Sequence, residues 1–264
     1  MLLVMDVGNT NTVLGIYDGA RLIANWRLTS RRAQTSDEYG VFIQTLLETR
    51  GIEPTAITAV CISTVVPPVL QALEEMCVRY WGIHPFVVEP GVNVSMPILL
   101  ENPREVGSDR IVNAVAAVAL YGTPLIIVDF GTATTFDCIS PRGEFLGGAI
   151  TPGITTAAEA LFSKAARLFR VEMVRPKEVI GRSTASAIQS GLLYGYAALV
   201  DGMVERIRAE MGGNPAVVAT GGLAGLIHEV SRAIQHVNPD LTLEGLRLIY
   251  ERAHVTPANP GSGP

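Results

Sequence analysis

Short apolar runs separated by polar turns recur along the chain, and the order in which they recur is repeated. Residues 2–7 read as a buried strand, 12–17 as a second strand returning from it, and 21–28 as a third after the hairpin signal Asp18-Gly19. The polar segment 29–36 leads into helical spacing over 37–50, with Thr35 or Ser36 as N-cap and Gly51 where a helix C-terminus favours glycine. Another apolar strand is predicted over 57–66. Pro67-Pro68 then opens a helix to residue 80, and 85–89 is a further strand. The second half starts the pattern again. Strands are predicted over 125–129, 134–139 and 145–150, with Pro141-Arg142-Gly143 as a turn. Helices follow over 155–168 and 184–211, while 171–180 is too mixed to assign. A strand over 216–219 ends at Thr220-Gly221-Gly222; helices are predicted over 223–232 and, after Pro239, over 242–253.

Three antiparallel strands followed by helices and parallel strands, built twice, describe an α/β duplication. Its expected domains are 1–121 and 122–254, each resembling a ribonuclease-H-like unit, followed by a flexible tail over 255–264. The first strand of each half ends in nearly the same turn. The N-terminal one reads Asp6-Val7-Gly8-Asn9-Thr10-Asn11-Thr12, and the second Asp129-Phe130-Gly131-Thr132-Ala133-Thr134. Each places an Asp at the strand end, a Gly two residues on, and hydroxyl or amide side chains around it. Gly lets the backbone turn sharply with N–H groups offered to an anion. Thr and Asn add neutral donors for phosphate oxygens, and Asp can hold a cation or its water shell. One such turn is ordinary hairpin chemistry; a matched pair points to a nucleoside triphosphate and its metal in a cleft between the halves. That is the architecture of the actin, hexokinase and heat-shock-70 superfamily (actin-like ATPases), an analogy of pattern at this point.

Composition narrows the class. With 48% hydrophobic and 17% charged residues, the 264-residue chain has ample core material for two domains. A net charge of −5 leaves no basic footprint for nucleic acid. The apolar stretch 111–128 contains Asn113 and is broken by Gly122-Thr123-Pro124, so it reads as helix, turn and strand, not as a membrane span. Cys61, Cys77 and Cys138 have no metal-type spacing and suit a reducing cytoplasm, and the four histidines form no ligand cluster. Asp6 interrupts the apolar N-terminus too early for a signal peptide. No G-x-x-x-x-G-K-[ST] loop is present, which excludes P-loop chemistry as the route.

Between the halves stands Glu105-Val106-Gly107-Ser108-Asp109-Arg110, followed by Ile111-Val112-Asn113-Ala114. Together with Gly147-Gly148-Ala149-Ile150-Thr151-Pro152-Gly153 and Thr220-Gly221-Gly222, in this order, these segments resemble type III pantothenate kinases, some of which are known as Bvg accessory factors. The likeness covers the chain apart from its tail, and the ordered set is specific where each motif alone is weak. The resemblance implies transfer of the γ-phosphate of ATP to pantothenate, the first step of coenzyme A synthesis. It also implies a divalent cation, a monovalent cation (potassium or ammonium) and a homodimer. By position, Asp109 matches the family's proton acceptor and Gly107, Ser108, Asp109 and Arg110 its pantothenate-binding segment. Asp6, Val7, Gly8, Asn9, Thr10, Asn11, Thr12 and Thr132 match ATP contacts, Asp129 the monovalent-cation ligand, and Thr184 a pantothenate contact. Leu100 stands where the family has Tyr before x-Asn-Pro. A hydroxyl contact to substrate is therefore missing, and weaker or reoriented pantothenate binding is expected rather than lost activity.

The residues support this chemistry independently. Phosphoryl transfer asks mainly for positioning and charge neutralisation, and the acceptor hydroxyl needs a nearby carboxylate, which Asp109 supplies. Arg110 offers a bidentate donor to a substrate carboxylate, and Asp6 can position magnesium through water. The competing reading makes Asp109 an N-cap and Arg110 a solvated first-turn residue. Gly191, Gly195, Ala197 and Ala198 in the helix 184–211 let another helix approach, either within the fold or across a two-fold interface. Two rival functions remain at this level: another small-molecule kinase on the same fold, such as a sugar kinase, and a nucleotide-binding regulatory protein without turnover.

Overall fold

The computed structural model describes residues 1–165 and 167–254; the expected tail lies outside the described residues. The chain forms two compact units, one comprising Met1–Ser95, Arg104–Val115 and the chain from Thr242, the other Met96–Pro103 and Ala116–Leu241.

In the first unit, β1 (Leu2–Val7), β2 (Asn11–Asp18), β3 (Arg21–Thr29), β4 (Ala59–Thr64) and β5 (Phe86–Val87) form a five-stranded sheet in the order β3-β2-β1-β4-β5. The three leading strands pair antiparallel, and β1, β4 and β5 pair parallel. Leu3, Val4 and Met5 are all fully buried, which is what a strand covered on both faces requires and why its sequence runs apolar without alternation. Helices α1 (Ser36–Glu48) and α2 (Pro67–Trp81) pack with this sheet through Tyr39, Ile43, Leu47, Leu73 and Met76. Thr35 caps α1 in a capping box with Glu38, and Gly82, at φ +66°, ends α2.

The second unit has β6 (Leu125–Phe130), β7 (Ala133–Ile139), β8 (Phe145–Pro152), β9 (Ala216–Gly221) and β10 (His236–Val237) in the order β10-β9-β6-β7-β8, the same arrangement read from the other edge. Its helices are α4 (Ile154–Lys164), α5 (Thr184–Met211) and α6 (Ala224–His228), with α3 (Ser108–Tyr121) preceding β6 in the chain. The α/β duplication read from the pattern is thus present as two sheets of one topology.

Three of the differences from expectation have a traceable reason. The helix expected over 223–232 stops at His228 because the Asp201 carboxylate takes the backbone N–H groups of Arg232 and Ala233 and the Ser231 hydroxyl. That frees the following residues to pair with β9: Gln235 bonds Val217 through both backbone and side chain, and β10 forms where none was expected. The strand expected over 85–89 is reduced to Phe86–Val87 because Asn93 folds back, its side-chain oxygen accepting from Glu89 N–H and its amide donating to the Val87 carbonyl. Helix α7 (Leu241–His254), expected within a C-terminal domain, belongs by its contacts to the first unit. Thr242 donates to Asn113 at 2.7 Å, and a Cβ on Gly245 would collide with the Val112 carbonyl, so only glycine allows α7 to lie against α3 there.

Candidate active site

Asp6 is held near the carboxyl end of β1, in register with Ser63 of β4 and Val13 of β2. The turn that follows is closed from within: Gly8 N–H donates to the Asn11 carbonyl at 3.0 Å. That amide is spent on the turn itself and not offered to an anion. The Ser30 hydroxyl donates to the Gly8 carbonyl at 2.7 Å and shares a 2.9 Å hydrogen bond with Thr12, while Ser30 N–H donates to Thr10 O at 2.9 Å. Of the residues expected to touch ATP, Asn9 and Thr10 are exposed, whereas Val7 and Thr12 are buried. Neither residue is open to solvent, and the Thr12 hydroxyl is engaged with Ser30.

The second turn repeats this construction. Asp129 lies in register with Thr135 of β7 and Thr220 of β9, as Asp6 does between β2 and β4. Gly131 N–H donates to the Ala133 carbonyl at 3.0 Å. Here the buttress comes from the end of β8 and the start of α4: Gly153 N–H and the Thr156 hydroxyl both donate to the Thr132 carbonyl, at 3.0 and 2.6 Å. A Cβ on Gly153 would collide with the carbonyls of Gly131 and Thr132, and one on Gly148 with the Phe136 carbonyl. These close approaches are the physical content of the glycines in the 147–153 motif. Gly221, at φ +91°, adds another: a Cβ there would lie 2.6 Å from both Asp129 Oδ1 and the Phe130 carbonyl. Its absence leaves two oxygens side by side, a donor set suited to a hard cation. Among the described residues, no group of three or more His, Cys, Asp or Glu is placed to hold a metal ion.

The segment 107–110 begins α3. Ser108 is buried; Ser63 donates to its hydroxyl at 2.9 Å, and it donates onward to the Thr64 carbonyl at 3.1 Å. Because Ser63 is the register partner of Asp6, this chain ties the head of α3 to the strand ends that carry Asp6. Asp109 is the second residue of the helix rather than the residue before it, so it is not the N-cap. Its Oδ1 accepts Arg110 N–H at 2.8 Å, and a Cβ on Gly107 would come within 2.5 Å of the same oxygen. Burial pushes the Asp109 carboxyl above the ordinary carboxylate range, against the opposing hydrogen bond and charge of Arg110. A half-buried carboxylate with a raised proton affinity is suited to accept a proton from an alcohol. Sequence reasoning gave no role to Ser63, Ser30 or Gly221; all three act through tertiary contacts, and only the Gly in Thr220-Gly221-Gly222 left a local signal.

Elsewhere in the second unit, Leu100 follows a segment bridged to the start of β8 by Leu99 and Phe145, and its Cδ2 lies 3.1 Å from where a Gly147 Cβ would stand. Thr184 is exposed as the first residue of α5, capped by Ser183 in a box with Ser186. Along α5, Gly191, Gly195 and Ala198 are exposed, and added Cβ atoms on the two glycines would meet nothing within 4 Å; Ala197 faces the core.

Two units of one topology, each ending its first strand in an acidic glycine turn, make up the actin-like ATPase fold. Solved structures agree on the fold. A conserved Baf family protein from Campylobacter jejuni superposes with a TM-score of 0.60 at 19% identity, covering 95% of this chain and 98% of that one. An inorganic polyphosphate/ATP-glucomannokinase from Arthrobacter sp. strain KM gives a TM-score of 0.52 at 14% identity, covering 95% and 98%. The family described as type III pantothenate kinase matches residues 2–206. The type III pantothenate kinase of Myxococcus xanthus (strain DK1622) is 54% identical over 256 residues, covering 97% of this chain and 100% of that protein. That of Syntrophotalea carbinolica is 56% identical over 252 residues, covering 96% and 99%. The chain belongs to the type III pantothenate kinase family, and is an ATP-dependent kinase that phosphorylates an alcohol.

Proposed function

We propose that the chain transfers the γ-phosphate of ATP to the hydroxyl of pantothenate, giving 4′-phosphopantothenate and ADP, the first step of coenzyme A synthesis. The observation that carries the mechanism is the Asp109 carboxylate, half-buried, with its proton affinity raised and its Oδ1 seated where a Cβ on residue 107 would collide with it. The hydroxyl oxygen bonds to the γ-phosphorus as the bond from that phosphorus to the β,γ-bridging oxygen breaks. ADP departs with that electron pair, and the hydroxyl proton passes to Asp109. Gly107 to Arg110, Leu100 and Thr184 bind pantothenate, Arg110 facing its carboxylate. Asp6 to Thr12 and Thr132 contact ATP.

A divalent cation on the phosphates would neutralise charge developing on the transferring group, and Asp6 would hold its water shell. Asp129 Oδ1 and the Phe130 carbonyl, side by side at Gly221, would hold potassium or ammonium. The homodimer belongs to the same reading, with the exposed Gly191, Gly195 and Ala198 face of α5 as the contact; a monomer in light scattering at micromolar concentration would defeat it. So does a cytoplasmic location, which the three buried free cysteines suit. No helix among the described residues is long and apolar enough to cross a membrane.

A coupled ADP-release assay with ATP, magnesium and potassium, run with pantothenate, with glucose and without acceptor, tests the proposal. Turnover is expected with pantothenate alone, falling when potassium is replaced by sodium. Turnover on glucose, or none on any acceptor, would overturn it.

A further inference from the structure

A cavity of about 680 Å³ opens in the first unit between the end of β3, the segment 30–34 and α1, a size that suits a small organic ligand. None of the residues given above to pantothenate lines it, and of the ATP residues only Thr12 does. Its wall is apolar: Leu28, Tyr39, Val41 and Phe42, the last two 60% and 43% exposed despite their size. The Tyr39 hydroxyl is shielded from water and finds no hydrogen-bond partner among the described residues.

The polar lining is not symmetric in what it offers. Both carboxylates are already engaged, Asp37 with Arg79 at 2.7 and 2.8 Å and with Tyr80 at 3.1 Å, Glu38 with Thr35 N–H at 2.7 Å and its hydroxyl at 3.1 Å. The Arg31 and Gln34 side chains also line the cavity; neither makes a hydrogen bond among the described residues, though the Arg31 charge acts on the nearby Glu38 carboxylate. What remains for a ligand is therefore a guanidinium and an amide beside an apolar wall. We propose that this cavity binds a small amphipathic carboxylate, its hydrocarbon body against Leu28, Tyr39, Val41 and Phe42 and its carboxylate on Arg31 and Gln34.

The position of Arg31 gives such a ligand a second effect. Its neighbours hold the first glycine turn: Ser30 bonds Gly8, Thr10 and Thr12, and Arg32 donates to Asn9 Oδ1 at 3.3 Å. A ligand that fixes Arg31 orders this buttress and changes the affinity for ATP. The coupling rests on the reading that 6–12 hold ATP; the binding itself does not.

The test uses the full chain, with 8-anilino-1-naphthalenesulfonate as fluorescent probe and decanoate as competitor. Saturable probe binding is expected at one site per chain, displaced by decanoate but not by decanol. Arg31→Gln and Phe42→Ser should each weaken decanoate by about tenfold or more while leaving the unfolding midpoint unchanged. Equal binding to both variants and the parent chain would overturn the proposal. So would displacement by decanol as readily as by decanoate, or conversion of a dimer to a monomer by Phe42→Ser, which would make the cavity an interface. Saturating decanoate should shift the dissociation constant for a non-hydrolysable ATP analogue, and the analogue should shift that for decanoate by the same factor. Analogue binding that ignores decanoate overturns the coupling. A chain that binds no analogue overturns the nucleotide reading instead and leaves the decanoate result standing.

Discussion

Asp109 is a carboxylate kept where a carboxylate is uncomfortable. Burial raises its proton affinity, so its ionised form destabilises the folded chain. A folded-state pKa above the unfolded one contributes stability below the unfolded value, near 3.8, and that contribution is lost as pH rises through the folded value. At neutral pH the Asp109→Asn chain should therefore be at least as stable in denaturant as the parent. Its turnover should nevertheless fall by about 10²–10⁴-fold, the usual contribution of a positioned proton acceptor. The acid limb of kcat in the parent should lie above the ordinary carboxylate range and be absent from the variant; near-normal turnover would remove Asp109 from the mechanism. Gly107→Ala probes the same oxygen differently, since the new methyl would stand 2.5 Å from Oδ1 and something must shift. A fall in kcat larger than any rise in KM is expected, because the displaced group acts in the transition state. The sequence showed Asp109 through the motif around it. It could not show why Gly107 precedes it, nor that Val7 and Thr12 turn inward, because those facts are distances and burial set by distant strands.

Among the elements, local signals and tertiary ties contend, and each outcome has a cause. Helix α5 appears over the span its sequence predicts, Thr184–Met211, since Ser183 caps it and Gly212 ends it. The N-cap at Thr35 and the opening Pro67-Pro68 likewise let the starts of α1 and α2 be read from the chain. The helix expected over 223–232 fails because a side chain from α5 competes for its backbone. Asp201 accepts from Ser231, Arg232 and Ala233, so these residues bond a carboxylate instead of extending a helical ladder. Although burial works the other way, those hydrogen bonds hold the Asp201 carboxyl below its ordinary value. Its stabilisation is therefore present above the unfolded pKa and lost as pH falls through the folded one. Asp201→Ala leaves several N–H and O–H donors without their acceptor and should cost about 2–3 kcal/mol. Hydrogen exchange should quicken first at Arg232 and Ala233, then along β10; unchanged protection there would show that β10 holds without the tie.

At the scale of the whole chain, the duplication explains why the same register appears twice, an Asp near the end of a central strand flanked by one antiparallel and one parallel neighbour. The two copies are not closed in the same way. The family match ends at residue 206, yet the first unit takes its last helix from beyond that point. Leu243, Leu246 and Ile249 of α7 are buried, Leu243 contacts the position of Gly15 in β2, and Arg247 stacks over the Tyr17 ring while paired with Glu244 and Glu251. Sequence alone assigned α7 to the nearer domain because a period of apolar residues tells that a face is buried, not what covers it. Removing the chain from Leu241 onward would strip that face from unit 1. Burying each large apolar side chain is worth about 1.5–3 kcal/mol, so losing three removes stability on the order of the 5–15 kcal/mol that a folded domain has in total. The truncated chain should accordingly lose cooperative unfolding in the first unit and with it all turnover, although every residue assigned to ATP and pantothenate is still present. A truncated chain that unfolds cooperatively and still turns over would show that β1–β5 and α1–α3 suffice for the first unit, and that α7 serves some other purpose.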